Sequence, residues 1–455
     1  MKKTIAFHNL GCKVNSYEME VMRQNAQDAG YEIVQFDQKS DIYVINTCTV
    51  TNIADRKSRQ MINRAKALNP DAVIVATGCY VETGADLTAG DGPVDIAIGN
   101  NHKSELTDLI EEYLKTGKRI TRKDLGSGRC EYETMSLKLK GGADSGSGAT
   151  EHKRVYVKIQ DGCNQFCTYC AIPYARGRVR SRDKNDILKE IKDLTDAGYR
   201  ELILTGIHIS SYGIDADGDY RGESRLIDLV EEICRVPGVC RVRLSSLEPR
   251  IITPKSAKRL AALKAVCPHF HLSLQSGCDA TLKRMNRKYT SDEYRSAVRA
   301  LRDAFGDRCA ITTDIIAGFP GETDEEFEES FAFAKEMDFY EMHVFQYSRR
   351  KGTIADKMPD QVESAVKAER SKRLLELTAG ASKAFREGFI GEKAEVLIEE
   401  KATYNGKEYF TGHTREYIMT ALPVIKGLSE GDTVSVCLEG FIPGSSEILT
   451  ASQCP

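Results

Sequence analysis

The sequence predicts an α/β protein in three parts: a doubly wound parallel sheet, a central open β/α barrel and a small all-β barrel. Three observations carry this. Apolar, β-branched runs alternate with amphipathic helical stretches over residues 1–116 and again over 153–380. A Gly/Ser-rich stretch, GGADSGSGATEHK, separates those halves. From residue 386 the pattern changes to short strands set off by Gly and Asn turns.

In the first part, TIAFHNLG reads as a strand and NSYEMEVMRQNAQDAG as a helix closed by Gly30. DIYVINTC, AVIVATGC and DIAIGN are further strands, and TNIADRKSRQMINRAKAL and HKSELTDLIEEYLKTG further helices. Six strands follow in the second part: VYVKIQ, ELILTG, VRLSS, FHLSL, ITTDIIAGF and HVFQY, with crossover helices between them. A long charged helix leads out to AEVLIEE, YFTGHT, YIMTAL, TVSVCLEG and EILTAS, a small barrel or sandwich. The implied division is 1–125, a flexible linker over 126–152, then 153–382 and 383–455.

Net charge is −3 and hydrophobic content 41%, which neither requires nor excludes a nucleic-acid partner. No apolar run is long enough to span a membrane. The N-terminus, MKKTIAFHNLGCKVN, is broken by His8 and Asn9 and reads as a strand rather than a signal peptide. A cytoplasmic protein is expected, and there 14 cysteines favour metal ligation over disulfides.

DGCNQFCTYC places Cys163, Cys167 and Cys170 in a C-x3-C-x2-C spacing after a strand. Three thiolates are one short of a closed zinc or rubredoxin-like site. They suit a 4Fe-4S cluster with one iron free for a substrate or cofactor. A zinc site would need a fourth ligand; His152 and His208 are available but lack finger-like spacing. Cys12, Cys48 and Cys79 each end a predicted strand, in NLGC, INTC and ATGC. Parallel strands share one C-terminal edge, where ligands bind, so three such cysteines point to one shared centre. Singly, each would be an ordinary small buried residue.

The C-x3-C-x2-C loop, with aromatic Tyr169 as its penultimate residue, resembles the radical S-adenosylmethionine enzymes. Cys12, Cys48 and Cys79 upstream of it, with IPYARGRVRSR, HLSLQSGCDATLKRMNR, DIIAGFPGET and FQYSRRKGT downstream, resemble the methylthiotransferase family over nearly the whole chain. The resemblance implies two 4Fe-4S clusters, with Cys163, Cys167 and Cys170 as the catalytic ligands that support cleavage of S-adenosylmethionine to a 5′-deoxyadenosyl radical. It implies that the N-terminal cluster carries or delivers sulfur, and that a methylthio group enters at a C–H bond. It also implies an electron donor such as flavodoxin or ferredoxin, a sulfur donor that the sequence does not identify, and a C-terminal RNA-binding barrel of the TRAM type. GCKVNSYE, YVKIQDGCN and YARGRVRSR look most like the branch acting at carbon 2 of N6-threonylcarbamoyladenosine, next to the anticodon of tRNA. Other branches act on isopentenyladenosine or on an aspartate of a ribosomal protein. By the same resemblance Gly206, Ser246, Gln275 and Gly318 contact the cofactor, along with Tyr169.

An anticodon stem-loop needs cations to meet its phosphates. Arg176, Arg178, Arg180 and Arg182 follow the cysteine loop and are expected to grip it; Arg56, Lys57, Arg59, Arg64 and Lys66 stud the helix after Cys48. Residues 383–455 hold seven basic and eleven acidic residues, a net of −4, which leaves a patch around Lys407, His413 and Arg415 for RNA. Cys130, Cys234, Cys240, Cys267, Cys278, Cys309, Cys437 and Cys454 lack ligand spacing and read as packing or surface thiols. Two other classes compete with the enzyme: a two-cluster electron-transfer protein, which would close each cluster with four cysteines, and a non-catalytic RNA-binding module, which would leave six cysteines unexplained.

Overall fold

The structure is a computed structural model that describes residues 2–84, 87–90, 92–123, 132–137, 154–214 and 224–454. Its first unit is a six-stranded parallel sheet: β1 (Thr4–Asn9), β2 (Glu32–Val34), β3 (Ile42–Thr47), β4 (Val73–Gly78), β5 (Ile96–Ile98) and β6 (Ile120–Arg122), in the order 2-1-3-4-5-6. β2 and β6 are three-residue edge strands, too short for sequence periodicity to reveal. Alternation along β3 sends Ile42 and Val44 into one apolar cluster and Tyr43 and Ile45 into another, so both faces are covered. Helix α1 (Lys13–Asp28) packs on the first face through Met19 and Met22, and α2 (Asn52–Leu68) on the second through Ile62 and Ala65.

The second unit begins with β7 (Arg154–Asp161) and continues through β8 (Arg180–Ser181), β9 (Glu201–Gly206), β10 (Arg241–Leu244), β11 (His269–His271), β12 (Ala310–Ala317) and β13 (Glu341–Gln346). Two sheets form, 10-9-7-8 and 11-12-13, joined by isolated parallel bridges Val242–Val266 and Leu247–Leu272. This is the open partial barrel expected, plus the short antiparallel β8. The first face of the N-terminal sheet and the core of this unit belong to one apolar cluster, with Met22, Val75 and Ile98 continuous with Ile159, Ile191 and Leu204. The stretch expected as a linker is only partly described. Met135 and Leu137 within it are buried, and Tyr17 donates to the Met135 carbonyl at 2.7 Å. Residues 126–131 and 138–152, including Cys130, lie outside the described residues.

The helix Ser364–Glu387 leads to a closed barrel of β14 (Lys393–Tyr404), β15 (Lys407–His413), β16 (Met419–Pro423), β17 (Thr433–Phe441) and β18 (Leu449–Gln453), in the order 14-15-16-18-17. β14 pairs with both β15 and β17, which closes the circle. The barrel docks on the second unit through charge. Arg154 bridges Glu201 (3.2 Å) and Glu399 (2.8 Å), and Arg241 meets Glu395 at 3.0 Å. Tyr417 stacks between His413 and His269 and lies under Arg243. Burial pushes the Glu201 carboxyl up, but Arg243 and Arg154 outweigh it and hold it at about 2. No helix among the described residues is long and apolar enough to cross a membrane.

Candidate functional site

The loop after β7 is fixed residue by residue. Gly162 has φ +71°, and a Cβ there would sit 1.9 Å from the Arg178 carbonyl, so no side chain fits. The Cys163 amide donates to the Gly177 carbonyl, and the Cys170 amide to the Cys167 carbonyl, both at 3.0 Å. From the far side, the Thr168 amide and hydroxyl donate to the carbonyls of Met285 and Arg284, and Asn286 donates to the Phe166 carbonyl at 2.9 Å. A short helix, α5 (Ile172–Arg176), follows Cys170 directly.

Each sulfur in this loop faces a donor. The amides of Gln165 and Ile172 point at Cys163 and Cys170, both at 3.4 Å, and Arg287 reaches Cys167 at 3.3 Å. Burial pushes the Cys163 and Cys170 thiols up to about 12, and neighbouring thiols add to the shift. A metal centre supplies the positive charge that lets buried thiols bind as thiolates. Among the described residues no three His, Cys, Asp or Glu side chains are set to hold a single ion. A four-iron cluster makes no such demand, because each cysteine binds a different iron.

Cys12, Cys48 and Cys79 come together from adjacent strands. Asn9 pairs with Asn46 and Thr47 with Gly78, so the ends of β1, β3 and β4 are level. Cys12 is the N-cap of α1, Cys48 follows β3, and Cys79 opens the short helix α3 (Cys79–Thr83). Gly78, at φ +98°, lies so close to β3 that a Cβ would meet the Thr47 carbonyl at 2.5 Å. Burial pushes the Cys48 thiol up to about 11, and Cys79 and Cys12 both add to that shift. Asn15 and Asn46 brace the edge through a buried pair of amide hydrogen bonds.

The two sets of cysteines sit side by side. α5 packs on α3, and the Asn100 amide donates both to the Ala175 carbonyl (2.7 Å) and towards the Cys79 sulfur (3.7 Å). Glu18 of α1 is wholly buried against Lys103, Lys158 (2.7 Å) and Arg176 (2.6 Å). Asp161 also binds Lys158 (2.7 Å) and Arg176 (3.1 Å). Arg176 continues to Asn15, whose oxygen lies 3.6 Å from the Cys12 sulfur.

This changes the role of the arginines. Arg176, Arg180 and Arg182 are buried: Arg176 on Glu18 and Asp161, Arg180 on Asn101 and backbone carbonyls, Arg182 on Glu190 and Ser136. They hold the two units together and are not placed to grip phosphates. Arg178 alone of the four is exposed, stacked over the Phe166 ring at 4.4 Å. Likewise His413 and Arg415 of the expected barrel patch lie at the junction: His413 pairs with Glu399 of its own barrel (2.7 Å) while its carbonyl accepts from Arg241 (3.1 Å), and Arg415 donates to the Val266 carbonyl (3.0 Å), leaving Lys407 exposed. On α2, Arg56, Lys57, Arg59 and Arg64 are exposed.

Of the residues expected at the cofactor, Tyr169 packs edge-on to Phe319, and Gln275 holds φ +71° at a bridge to β12. Ser246 is exposed beside buried Ser245. Gly206 lies against β7, where a Cβ would meet the Gln160 carbonyl at 2.9 Å; Gly318 has φ +72° and donates to Glu322 at 2.8 Å. Sequence reasoning gave no role to Arg287, the last residue of HLSLQSGCDATLKRMNR, or to Asn100, the last of DIAIGN. It also missed Glu248, which gathers His208 (3.3 Å), Gln165 (3.1 Å) and Arg250 (2.7 Å) beside the loop. Burial raises Glu248, but His208 and Arg250 overcome it and hold the carboxyl at about 2.

An open β/α barrel with a three-cysteine loop after its first strand defines a radical S-adenosylmethionine enzyme, and the profile of the Radical SAM superfamily matches residues 157–334. That of "Uncharacterized protein family UPF0004" matches residues 4–99. The chain is 42% identical to the threonylcarbamoyladenosine tRNA methylthiotransferase MtaB of Bacillus subtilis (strain 168), over 94% of this chain and 91% of that protein. It is 35% identical to the tRNA-2-methylthio-N(6)-dimethylallyladenosine synthase of Moorella thermoacetica, over 93% of each. The chain belongs to the radical S-adenosylmethionine methylthiotransferase family. Among solved structures, the radical S-adenosylmethionine methyltransferase TsrM from Kitasatospora setae shares the fold, with a TM-score of 0.55, 15% identity, and coverage of 76% of this chain and 73% of that one.

Proposed function

We propose that this protein is a tRNA methylthiotransferase that inserts a methylthio group at carbon 2 of N6-threonylcarbamoyladenosine next to the anticodon. The observation that carries the reading is the junction of the two cysteine sets through Asn100, which touches Cys79 and the α5 backbone just beyond Cys170. A single bound base can then face both sets. In this reading Cys163, Cys167 and Cys170 hold one 4Fe-4S cluster, and Cys12, Cys48 and Cys79 hold a second. With S-adenosylmethionine bound, the first supplies a radical able to remove hydrogen from an unreactive C–H bond, which no side-chain base does readily.

The chain's own residues position and shield. Arg287 and the Gln165 and Ile172 amides meet charge on the sulfurs of the first set. Glu248 orients Gln165 and His208 at the same mouth. Tyr169, Gly206, Ser246, Gln275 and Gly318 surround the cofactor, Gly206 by close strand packing. The N-terminal sheet is read as a doubly wound sulfur-delivering domain over 1–125, the core as 153–382, and the closed barrel over 383–455 as TRAM-like. Flavodoxin or ferredoxin serves as electron donor.

The test is anaerobic turnover with S-adenosylmethionine, a reductant and tRNAs carrying either the threonylcarbamoyl or the isopentenyl group, read by nucleoside mass spectrometry. A methylthio product on the threonylcarbamoyl form, with 5′-deoxyadenosine, is expected. Product on the isopentenyl form alone would overturn the branch, and activity only on a ribosomal protein would overturn the tRNA assignment.

A further inference from the structure

The sheet of β11, β12 and β13 has two unlike faces. Outward, Phe270, Ile311, Ile315 and Met342 enter the apolar cluster under the helices. Side chains alternate along a strand, so His271, Asp314, Ile316, His343 and Phe345 face the lumen of the partial barrel. There Asp314 lies opposite His343 in register, and Ile316 opposite Phe345. The His271 ring lies 3.0 Å from the Thr312 hydroxyl and 3.3 Å from one oxygen of Asp314, which leaves the other oxygen open. The His343 ring stands 5.6 Å from that of His271, is exposed, and hydrogen-bonds to none of the described residues. Burial pushes the Asp314 carboxyl up, but His271 and His343 beside it hold it below its ordinary value, so it stands ready as an acceptor. The cluster has a floor and a ceiling. Below it His269 stacks on Tyr417 of the C-terminal barrel. Above it Ile316 packs in one cluster with Tyr169 of the cysteine loop, and Phe345 beside Ile316 is 48% exposed. Neither cysteine ligation nor barrel docking uses His343 or Phe345.

We infer that this face holds the substrate nucleotide, with Phe345 stacking on the adenine and His343 and Asp314 hydrogen-bonding its threonylcarbamoyl arm, and that it thereby selects between tRNA substrates. This rests on the tRNA reading above. An unpaired base of an anticodon loop offers a free face, which an exposed phenyl ring can take. The arm ends in a carboxylate and a hydroxyl. His343 has an N–H for the first in either tautomer, and Asp314 an acceptor for the second. An isopentenyl arm is pure hydrocarbon and would strip water from both groups without replacing it. Inward residues are spaced about 7 Å along a strand. A base on Phe345 therefore lies one step nearer the cysteine loop than the arm held at His343.

The experiment measures binding of anticodon stem-loops bearing threonylcarbamoyladenosine, unmodified adenosine or isopentenyladenosine to the reconstituted protein, by fluorescence anisotropy at fixed salt. The wild type is expected to bind the threonylcarbamoyl loop about tenfold tighter than the unmodified one, the scale of one charge-assisted hydrogen bond. His343→Leu should erase that preference while binding the unmodified loop as before, and His343→Asn, which keeps a donor, should retain part of it. Phe345→Ala should weaken all three loops alike, by about tenfold, the scale of one lost base stack. The melting temperature reports that each variant is folded. Equal affinity of the wild type for the threonylcarbamoyl and unmodified loops overturns the inference, whatever the variants do. A full preference in His343→Leu, or unchanged affinities in Phe345→Ala, also overturns it. Turnover of the isopentenyl loop alone by the wild type marks a different failure, that of the substrate reading itself.

Discussion

The loop at 163–170 and the strand ends at Cys12, Cys48 and Cys79 gather three thiols by opposite means. In the loop, eight consecutive residues do it, held by a positive-φ glycine at 162 and by hydrogen bonds to the carbonyls of Arg284 and Met285 and from the Asn286 side chain. At the strand ends, residues 67 positions apart in sequence are brought level by sheet register and by the close approach of Gly78 to β3. The first set is a local motif that its neighbours merely steady. The second exists only while a whole domain is folded, so it depends on α1, α3 and the buried charges beneath them.

Deleting each set in turn separates the two most strongly. Replacing Cys163, Cys167 and Cys170 by Ala should reduce 5′-deoxyadenosine formation to background and remove about half of the reconstituted iron. Iron analysis and product chromatography read both. Replacing Cys12, Cys48 and Cys79 should remove the other half and abolish methylthiolated tRNA, while cofactor cleavage continues. Methylthio product at normal yield in that variant would rule out a sulfur role for the N-terminal set.

The same contrast explains what was legible in the sequence. C-x3-C-x2-C is read directly, because its spacing is its geometry. The dispersed set was legible only through topology: three strands ending in cysteine, in a sheet whose ligand edge is known in advance. The arginines misled because their spacing resembles a phosphate-binding run while their partners, Glu18, Asp161 and Glu190, are distant in sequence or sit on another element. A buried ion pair leaves no periodic trace. His413 and Arg415 escaped for the same reason, since Arg241 and the Val266 carbonyl, which meet them, lie across a domain junction. The edge strands at 32–34 and 120–122 are simply too short to show alternation.

Cutting the join between the sets comes next in size. Glu18→Gln takes the carboxylate from buried Lys103 and leaves buried Lys158 and Arg176 with Asp161 alone. Removing one partner of such a cluster costs about 3–5 kcal/mol. Urea unfolding of the metal-free protein should show the N-terminal unit melting before the core, where the wild type melts later. Iron bound by Cys12, Cys48 and Cys79 should fall before iron bound by the loop. A variant as stable as wild type would mean that apolar packing alone fixes the junction.

The barrel junction gives a pH counterpart. Glu201 is held at about 2 against an ordinary 4.5. Its stabilisation is complete above about pH 4.5 and is lost as pH falls towards 2, because the unfolded chain takes up the proton first. The contribution is roughly 3 kcal/mol. Metal-free Glu201→Gln should therefore lose stability at neutral pH and show a shallower decline in melting temperature between pH 4.5 and 2. An unchanged decline would assign the acid sensitivity to other carboxylates.

The smallest effect separates Arg178 from the buried arginines around it. Arg178 is exposed over the Phe166 ring, whose far edge meets Tyr174, itself 45% exposed. A cation stacked on an aromatic ring, with a second ring beside it, offers a phosphate contact and a face for an unpaired base. Unlike Arg176 and Arg182, it pairs with no buried carboxylate among the described residues. Arg178→Ala should therefore preserve the melting temperature within about 1 °C, since exposed substitutions rarely exceed ~0.5 kcal/mol. It should weaken tRNA binding a few-fold and lower the slope of log affinity against log salt by roughly 0.7–0.9, the value of one phosphate contact. Arg182→Ala should do the reverse, destabilising the fold through unpaired Glu190. If Arg178→Ala leaves the salt slope untouched, the exposed end of the cysteine loop does not touch the RNA backbone, and the positive potential for tRNA lies instead on the exposed face of α2, at Arg56, Lys57, Arg59 and Arg64.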